Sequence, residues 1–222
     1  MRLTDIPVVF ICPDHNEKYN ARKKHMFSLL EEIGFNDITF FKSRTDLYNG
    51  LNIAHAVSEI LKTRLDDNPV LIVEDDIEKT EWFQTEIDIP KDADAFYLGF
   101  SRMRRADNGM EAVPTNMSAI IEDVGPNLIR IKNMLSTHAQ IFVSKRIKEA
   151  TICLYRQIVA LNSQIQNDLI SSTLQLTCNV YGYTYPLFYQ SMKHNNHYAV
   201  EYSTRFSFSP RFVMPFECPY SY

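Results

Sequence analysis

Apolar residues along the chain alternate between short continuous runs and runs at helical spacing. Ile6 to Cys12 is an apolar stretch with β-branched residues, closed by Pro13, and predicts a buried strand. From Tyr19 to Ile33 the apolar positions Met26, Leu29, Leu30 and Ile33 recur at helical spacing, and Gly34 supplies a stop. Ile38 to Phe41 predicts a second strand, so the chain opens as strand, helix, strand, the βαβ signature of a mostly parallel sheet. A second helix is expected over Ala54 to Leu65 with Val57, Ile60 and Leu61 inward, ended by Asp66 to Pro69. Val70 to Val73 is fully apolar and bounded by acids on its far side, as suits a central strand covered on both faces.

The second half is less regular. Ala95 to Leu98 and Ala139 to Val143 predict strands, and Leu128 to Ile131 alternates like a small edge strand. Ser101 to Met117 is polar, carries the Asp107-Asn108-Gly109 turn signal, and is expected to be a loop at the rim of the site. Ser144 stands where a cap would precede a helix over Lys145 to Leu161, and a further helix begins at Asn167 or Asp168 and runs to Leu176. Tyr181 to Phe188 is extended and aromatic. Without repeats or a linker, these elements imply one α/β domain over 1–222, with a mostly parallel central sheet and flanking helices.

Composition narrows the function classes. The 222 residues are 45% hydrophobic and 23% charged, ordinary for a soluble globular protein. The net charge of -4 and the absence of a long Lys/Arg run argue against general nucleic-acid binding, which needs a concentrated basic surface. Local basic patches remain at Arg22, Lys23 and Lys24 and at Arg102, Arg104 and Arg105. No stretch reaches the length of a membrane span, and the apolar start is too short for a signal peptide. The aromatic and proline-rich Phe206 to Tyr222 is a candidate for packing, for a partner, or for peripheral membrane contact. Cys12, Cys153, Cys178 and Cys218 form no CxxC pair, which speaks against structural zinc. Cys12 and Cys153 read as small buried hydrophobes of a reduced, cytoplasmic protein.

The sharpest chemical signal is Glu74-Asp75-Asp76, directly after the Val70 to Val73 strand. Open α/β sheets bind ligands at the carboxyl ends of their strands. Three adjacent carboxylates repel and call for positive compensation, which a hard cation such as manganese or magnesium supplies through oxygen ligands. On an extended backbone Glu74 and Asp76 face one side and Asp75 the other. The alternative is a solvated acidic loop that caps the next helix.

Several segments taken in order resemble glycosyltransferase family 25, the group of lipopolysaccharide-type sugar transferases and collagen galactosyltransferase domains. They are Gly50 to His55, VLIVEDDIEKTEWF from Val70 to Phe83, DAFYLGF from Asp94 to Phe100, STHAQIFVSK from Ser136 to Lys145, and YPLFYQS from Tyr185 to Ser191. Arg22 and Lys23 of the basic first helix and the late Asp168 also fit, and the resemblance spans Ile6 to Ser191. It departs after the first strand, where ICPDHNEKYNARKKH keeps Asp14 but displaces the basic residues, and at Leu135 and Ser136, where the family commonly has Gly.

The resemblance implies a GT-A, Rossmann-like fold, with 1–100 mainly binding the nucleotide sugar and 101–222 mainly forming the acceptor side. It implies an inverting transferase that takes galactose or glucose from a UDP-sugar, and a triplet that serves as the metal-binding DxD motif. Asp76 then holds manganese (or magnesium) at the donor diphosphate, with Glu74 or Asp75 near ribose or sugar. Asp14, Arg22, Lys23 and His55 become donor-side candidates, and His138 of the Thr-His-Ala segment a contact to phosphate, sugar or metal. His197, in KHNNH with His194, is a further ligand candidate, with an ordinary surface loop as the alternative. The acceptor, whether a glycan, a lipid-linked sugar or another hydroxyl, is left open.

The chemistry of inversion adds one requirement. A carboxylate separate from the metal site must take the acceptor proton, because metal-bound carboxylates are poor bases. Asp168, in the polar QIQND segment at a helix start, is the candidate, and an N-cap is its alternative role. Trp82 is a candidate for stacking on sugar or for packing. A metal-dependent phosphotransferase or hydrolase, or a non-catalytic nucleotide- or glycan-binding module, are the rival functions. The first lacks a P-loop signature here.

Overall fold

The computed structural model describes residues 1–47, 49–66, 68–99, 103–105, 112–114, 120–134, 137–163 and 167–191. In chain order its first half runs β1 (Val8–Cys12), α1 (Glu17–Ile33), β2 (Ile38–Lys42), α2 (Asn49–Lys62), β3 (Val70–Glu74), β4 (Ile77–Lys79) and β5 (Ala95–Gly99). It continues with β6 (Met103–Arg105), β7 (Ala112–Pro114), β8 (Ile120–Gly125), β9 (Leu128–Lys132), β10 (Ala139–Phe142), α3 (Lys145–Ala160), α4 (Asn167–Leu174), β11 (Val180–Tyr183) and β12 (Phe188–Gln190).

The central sheet has the order β2-β1-β3-β10-β5-β11-β9-β8. Strands β2, β1, β3, β5, β11 and β8 run one way, and β10 and β9 run against them. The expected α/β, Rossmann-like, mostly parallel sheet with flanking helices is therefore present, and β3 is interior, between β1 and β10. The reversed β10 matters for the site. Its first residue, Ala139, pairs with Val73 and with Gly99, so Thr137 and His138 lie at the carboxyl ends of β3 and β5.

The period of two along each strand sorts the core into two layers. Val8, Phe10 and Cys12 of β1 and Leu71 and Val73 of β3 pack with Met26, Leu29, Leu30 and Ile33 of α1. Val9, Ile11, Val70 and Ile72 face the opposite way, toward Leu51, Ala54, Val57 and Leu61 of α2 and Tyr155 and Ile158 of α3. Helix α1 starts at an Asn16 cap whose side chain accepts from the Tyr19 amide at 3.1 Å, and ends at Gly34 with φ of 98°. Ser144 caps α3 as expected.

Four sequence expectations are corrected. Helix α2 is displaced toward the N-terminus, Asn49–Lys62 in place of Ala54 to Leu65. Its exit is made by Thr63, whose hydroxyl turns back to the Ile60 carbonyl at 2.8 Å. Leu128 to Ile131 is not an edge: β9 lies between β11 and β8, and β8 forms the edge. The aromatic Tyr181 to Phe188 segment is two strands, because β12 leaves the central sheet to pair with β4. Cys153 is exposed on the outer side of α3, whereas Cys12 and Cys178 are buried. Within the expected rim loop, β6 pairs with β7, and the Asp107-Asn108-Gly109 turn lies outside the described residues. Among the described residues no helix is long and apolar enough to cross a membrane.

Candidate functional site

The acidic triplet closes β3 at its carboxyl end, and Asp75 and Asp76 are buried, 7% and 4% exposed. Asp75 lies in the turn after β3 and meets α1. There the Arg22 guanidinium, itself buried, donates to Asp75 Oδ1 at 2.9 Å and stands 3.8 Å from Asp76 Oδ2. Part of the positive compensation that the triplet calls for is thus a side chain, which the strand's own sequence does not contain. The compensating charge comes from a helix fifty-three positions earlier in the chain, where the sequence pattern alone shows only a basic helix face. Arg22 is accordingly a buried counter-ion and not part of a solvated helix face. Asp75 Oδ2 is buried and accepts no hydrogen bond among the described residues.

Glu74, at the end of β3, and Asp76, in the turn that joins β3 to β4, meet at Gln190. Each uses one oxygen for the surrounding frame and presents the other to Gln190. Thr137 Oγ1 donates to Glu74 Oε1 at 3.2 Å, and Asp76 Oδ2 faces Arg22. Gln190 Nε2 then lies 3.2 Å from Glu74 Oε2 and 3.4 Å from Asp76 Oδ1. Gln190 reaches them because β12 pairs with β4, and the Ser191 amide donates to the Asp76 carbonyl at 2.8 Å. Gln190 was inside the segment that carries the family resemblance but was not singled out. An amide at the end of a short aromatic strand gives no signal until the β4–β12 pairing is known.

A second charged group sits at the ends of β1 and β2. Asp14, in a left-handed conformation with φ of 50°, receives Lys42 at 2.9 Å and Lys23 at 3.1 Å. The hydrogen bond from Lys42, followed by that from Lys23, holds its carboxyl below the usual range. The Lys23 ammonium also stands 3.7 Å from the centroid of Phe40. The Cys12 thiol donates to the Tyr19 carbonyl at 3.4 Å, and burial, with the Asp75 charge behind it, pushes its pKa far up, so it stays protonated.

His138 meets the triplet through its backbone. Its carbonyl accepts from the Glu74 amide at 2.9 Å, while the ring is buried against Gly99. A Cβ on Gly99 would meet His138 Nε2 at 2.2 Å. Burial lowers the imidazole pKa to about 4, against which a hydrogen bond with the Phe188 backbone works. His138 is thus neutral at pH 7 and packs between strands. His55 lies half-buried on α2 with Asp46 and Glu59 as charged neighbours, away from the partners of the triplet. Trp82 packs on Tyr185, with ring centroids 5.7 Å apart. Asp168 falls in the first turn of α4, its side chain outside the described residues, and His194 and His197 are also outside them.

The donor set at Glu74 and Asp76 is all hard oxygen, which fits manganese or magnesium. Among the described residues no group of three or more His, Cys, Asp or Glu side chains is arranged to hold a metal. Two carboxylates are the chain's acidic contribution there, and a nucleotide diphosphate and water are the ordinary complement of such a pair.

No protein-family model matches the chain, and no curated protein matches it in sequence. Among solved structures it is similar to a nucleoside-diphosphate-sugar pyrophosphorylase from Vibrio cholerae, at 14% identity and a TM-score of 0.42, over 85% of this chain and 77% of that one. It is also similar to the CTP:phosphocholine cytidylyltransferase of Streptococcus pneumoniae, at 10% identity and a TM-score of 0.43, over 88% and 96% of the two chains. A third similar structure, described as a mannose-1-phosphate geranyltransferase from Thermus thermophilus, has 9% identity and a TM-score of 0.35, over 80% and 73%. The fold class rests on strand order and direction rather than on these distant likenesses: the chain is an α/β protein with a Rossmann-like, mostly parallel sheet and an acidic triplet at the end of its interior strand, of which Asp75 and Asp76 are buried.

Proposed function

We propose that the chain is a metal-dependent glycosyltransferase of the family 25 type, moving galactose or glucose from a UDP-sugar to an acceptor hydroxyl with inversion. The observation that carries this reading is the pairing of Glu74 and Asp76 at the carboxyl end of β3, each with one oxygen turned to the same point. The carboxyl ends of strands in an open α/β sheet are where a ligand binds, and Arg22 already offsets the charge of Asp75 and Asp76.

Glu74 and Asp76 would hold manganese or magnesium, with His197 as a further ligand candidate. An ion there stabilises the charge that develops on the departing diphosphate. Lys23, in the second turn of α1, and Lys42, at the end of β2, add positive charge on the donor side beside Asp14. Asp168 is the proposed base. Its carboxylate takes the acceptor hydroxyl proton as that oxygen bonds to the anomeric carbon. The carbon–oxygen bond to the diphosphate breaks with its electron pair leaving on the diphosphate. His138, neutral at pH 7, supports the Glu74 strand from the core and carries no proton in this scheme.

The test is calorimetric titration of UDP-galactose and UDP-glucose into the wild-type protein and Asp76→Asn, with manganese and then with chelator. Donor binding that needs the cation in the wild type and is lost in Asp76→Asn is expected, with transfer reduced by orders of magnitude. Donor affinity unchanged by chelator would overturn the metal assignment.

A further inference from the structure

We infer that Gln190 is a third oxygen ligand of the cation at Glu74 and Asp76, delivered by inversion of its amide. The inference rests on the metal reading of the triplet given above. Carboxylates only accept hydrogen bonds, so without a cation the NH2 of Gln190 must face them, at 3.2 Å from Glu74 Oε2 and 3.4 Å from Asp76 Oδ1. The two oxygens not used this way are engaged elsewhere, by Thr137 and opposite Arg22. The amide nitrogen therefore sits within reach of one oxygen of each carboxylate.

Half a turn about the last side-chain bond puts Oε1 where Nε2 was, with little movement of β12. Adjacent oxygens around a magnesium-sized ion, each about 2.1 Å from it, lie about 3.0 Å apart. The observed spacings of 3.2 and 3.4 Å from the amide to the two carboxylates are close to such an edge. Amide carbonyls are ordinary ligands of hard cations. The arrangement also explains how a site with two acids can hold a cation. Gln190 bridges the pair as a donor when the cation is absent and becomes an acceptor toward it when present. The pairing of β12 with β4 and the Ser191 amide bond to the Asp76 carbonyl fix its reach.

The test uses the full chain without nucleotide. Manganese binding is followed by the paramagnetic resonance signal of the free ion, and thermal unfolding is followed in chelator and in manganese. Gln190→Met keeps the length and removes both polar atoms. It should weaken manganese binding by about tenfold or more. Gln190→Glu restores an oxygen ligand but crowds three carboxylates. It should bind manganese at least as tightly as wild type, melt lower than wild type in chelator, and gain more from the ion. Manganese affinity in Gln190→Met equal to or tighter than wild type overturns the inference, since Gln190 is then a bystander or a competitor. Folded Gln190→Glu that binds no manganese overturns it equally. Wild-type protein that binds no manganese overturns the metal reading itself, a result read before any variant is made.

Discussion

Replacing Arg22 by Gln removes the positive charge from beneath the acidic triplet while keeping a polar side chain on α1. Arg22 and Asp75 are each 7% exposed and Asp76 is 4% exposed, and the guanidinium is 2.9 Å from one carboxylate and 3.8 Å from the other. Breaking a buried pair strands a charge that water cannot reach, which costs about 3–5 kcal/mol. That is a large share of the roughly 5–15 kcal/mol that holds a domain folded. Urea unfolding at pH 7 in chelator, followed by circular dichroism, measures it in four proteins: wild type, Arg22→Gln, Asp75→Asn, and the double variant. The double variant should lose clearly less than the sum of the single losses, with a coupling of about 1 kcal/mol or more, because it leaves neither charge alone. If Arg22→Gln unfolds within about 1 kcal/mol of wild type, the triplet is compensated by something other than Arg22 and the electrostatic argument fails.

Three further outcomes follow from the site. His138 is neutral when buried, with its pKa moved from 6.5 to about 4, so the unfolded chain binds the proton first as pH falls. Its contribution is complete above pH 6.5, shrinks through the interval and is gone near pH 4, about 3 kcal/mol in all. Unfolding free energies of wild type and His138→Gln between pH 7.5 and 4 should converge, and parallel curves would refute the assignment. Gly99→Ala should destabilise by about 1–3 kcal/mol through overpacking, since the new methyl meets the imidazole, and His138→Ala in the same chain should recover part of the loss in thermal unfolding. Asp168→Asn should fold and bind donor normally yet lose about 100-fold or more of transfer in a product assay; near wild-type transfer would place the base elsewhere.

The unbroken apolar runs in Val8–Cys12 and Val70–Val73 and the helical spacing in Glu17–Ile33 are local properties, and they determined the βαβ opening and the interior place of β3 from sequence alone. The sequence also placed the triplet at the end of that strand, but Asp75 and Asp76 form a turn, so the alternation of an extended backbone does not set their directions. Tertiary structure decided what each acid meets. Arg22 looked like part of an exposed basic face because its surroundings come from β3, more than fifty residues on. His138 looked like a site residue because its neighbours in sequence are at the site, while its ring turns to Gly99 on another strand. Gln190 carried no signal, since its reach depends on β12 leaving the central sheet for β4. Helix and strand periods are set by bonds within a few residues. The charge, burial and reach of a side chain are set by strands that the chain brings together only on folding.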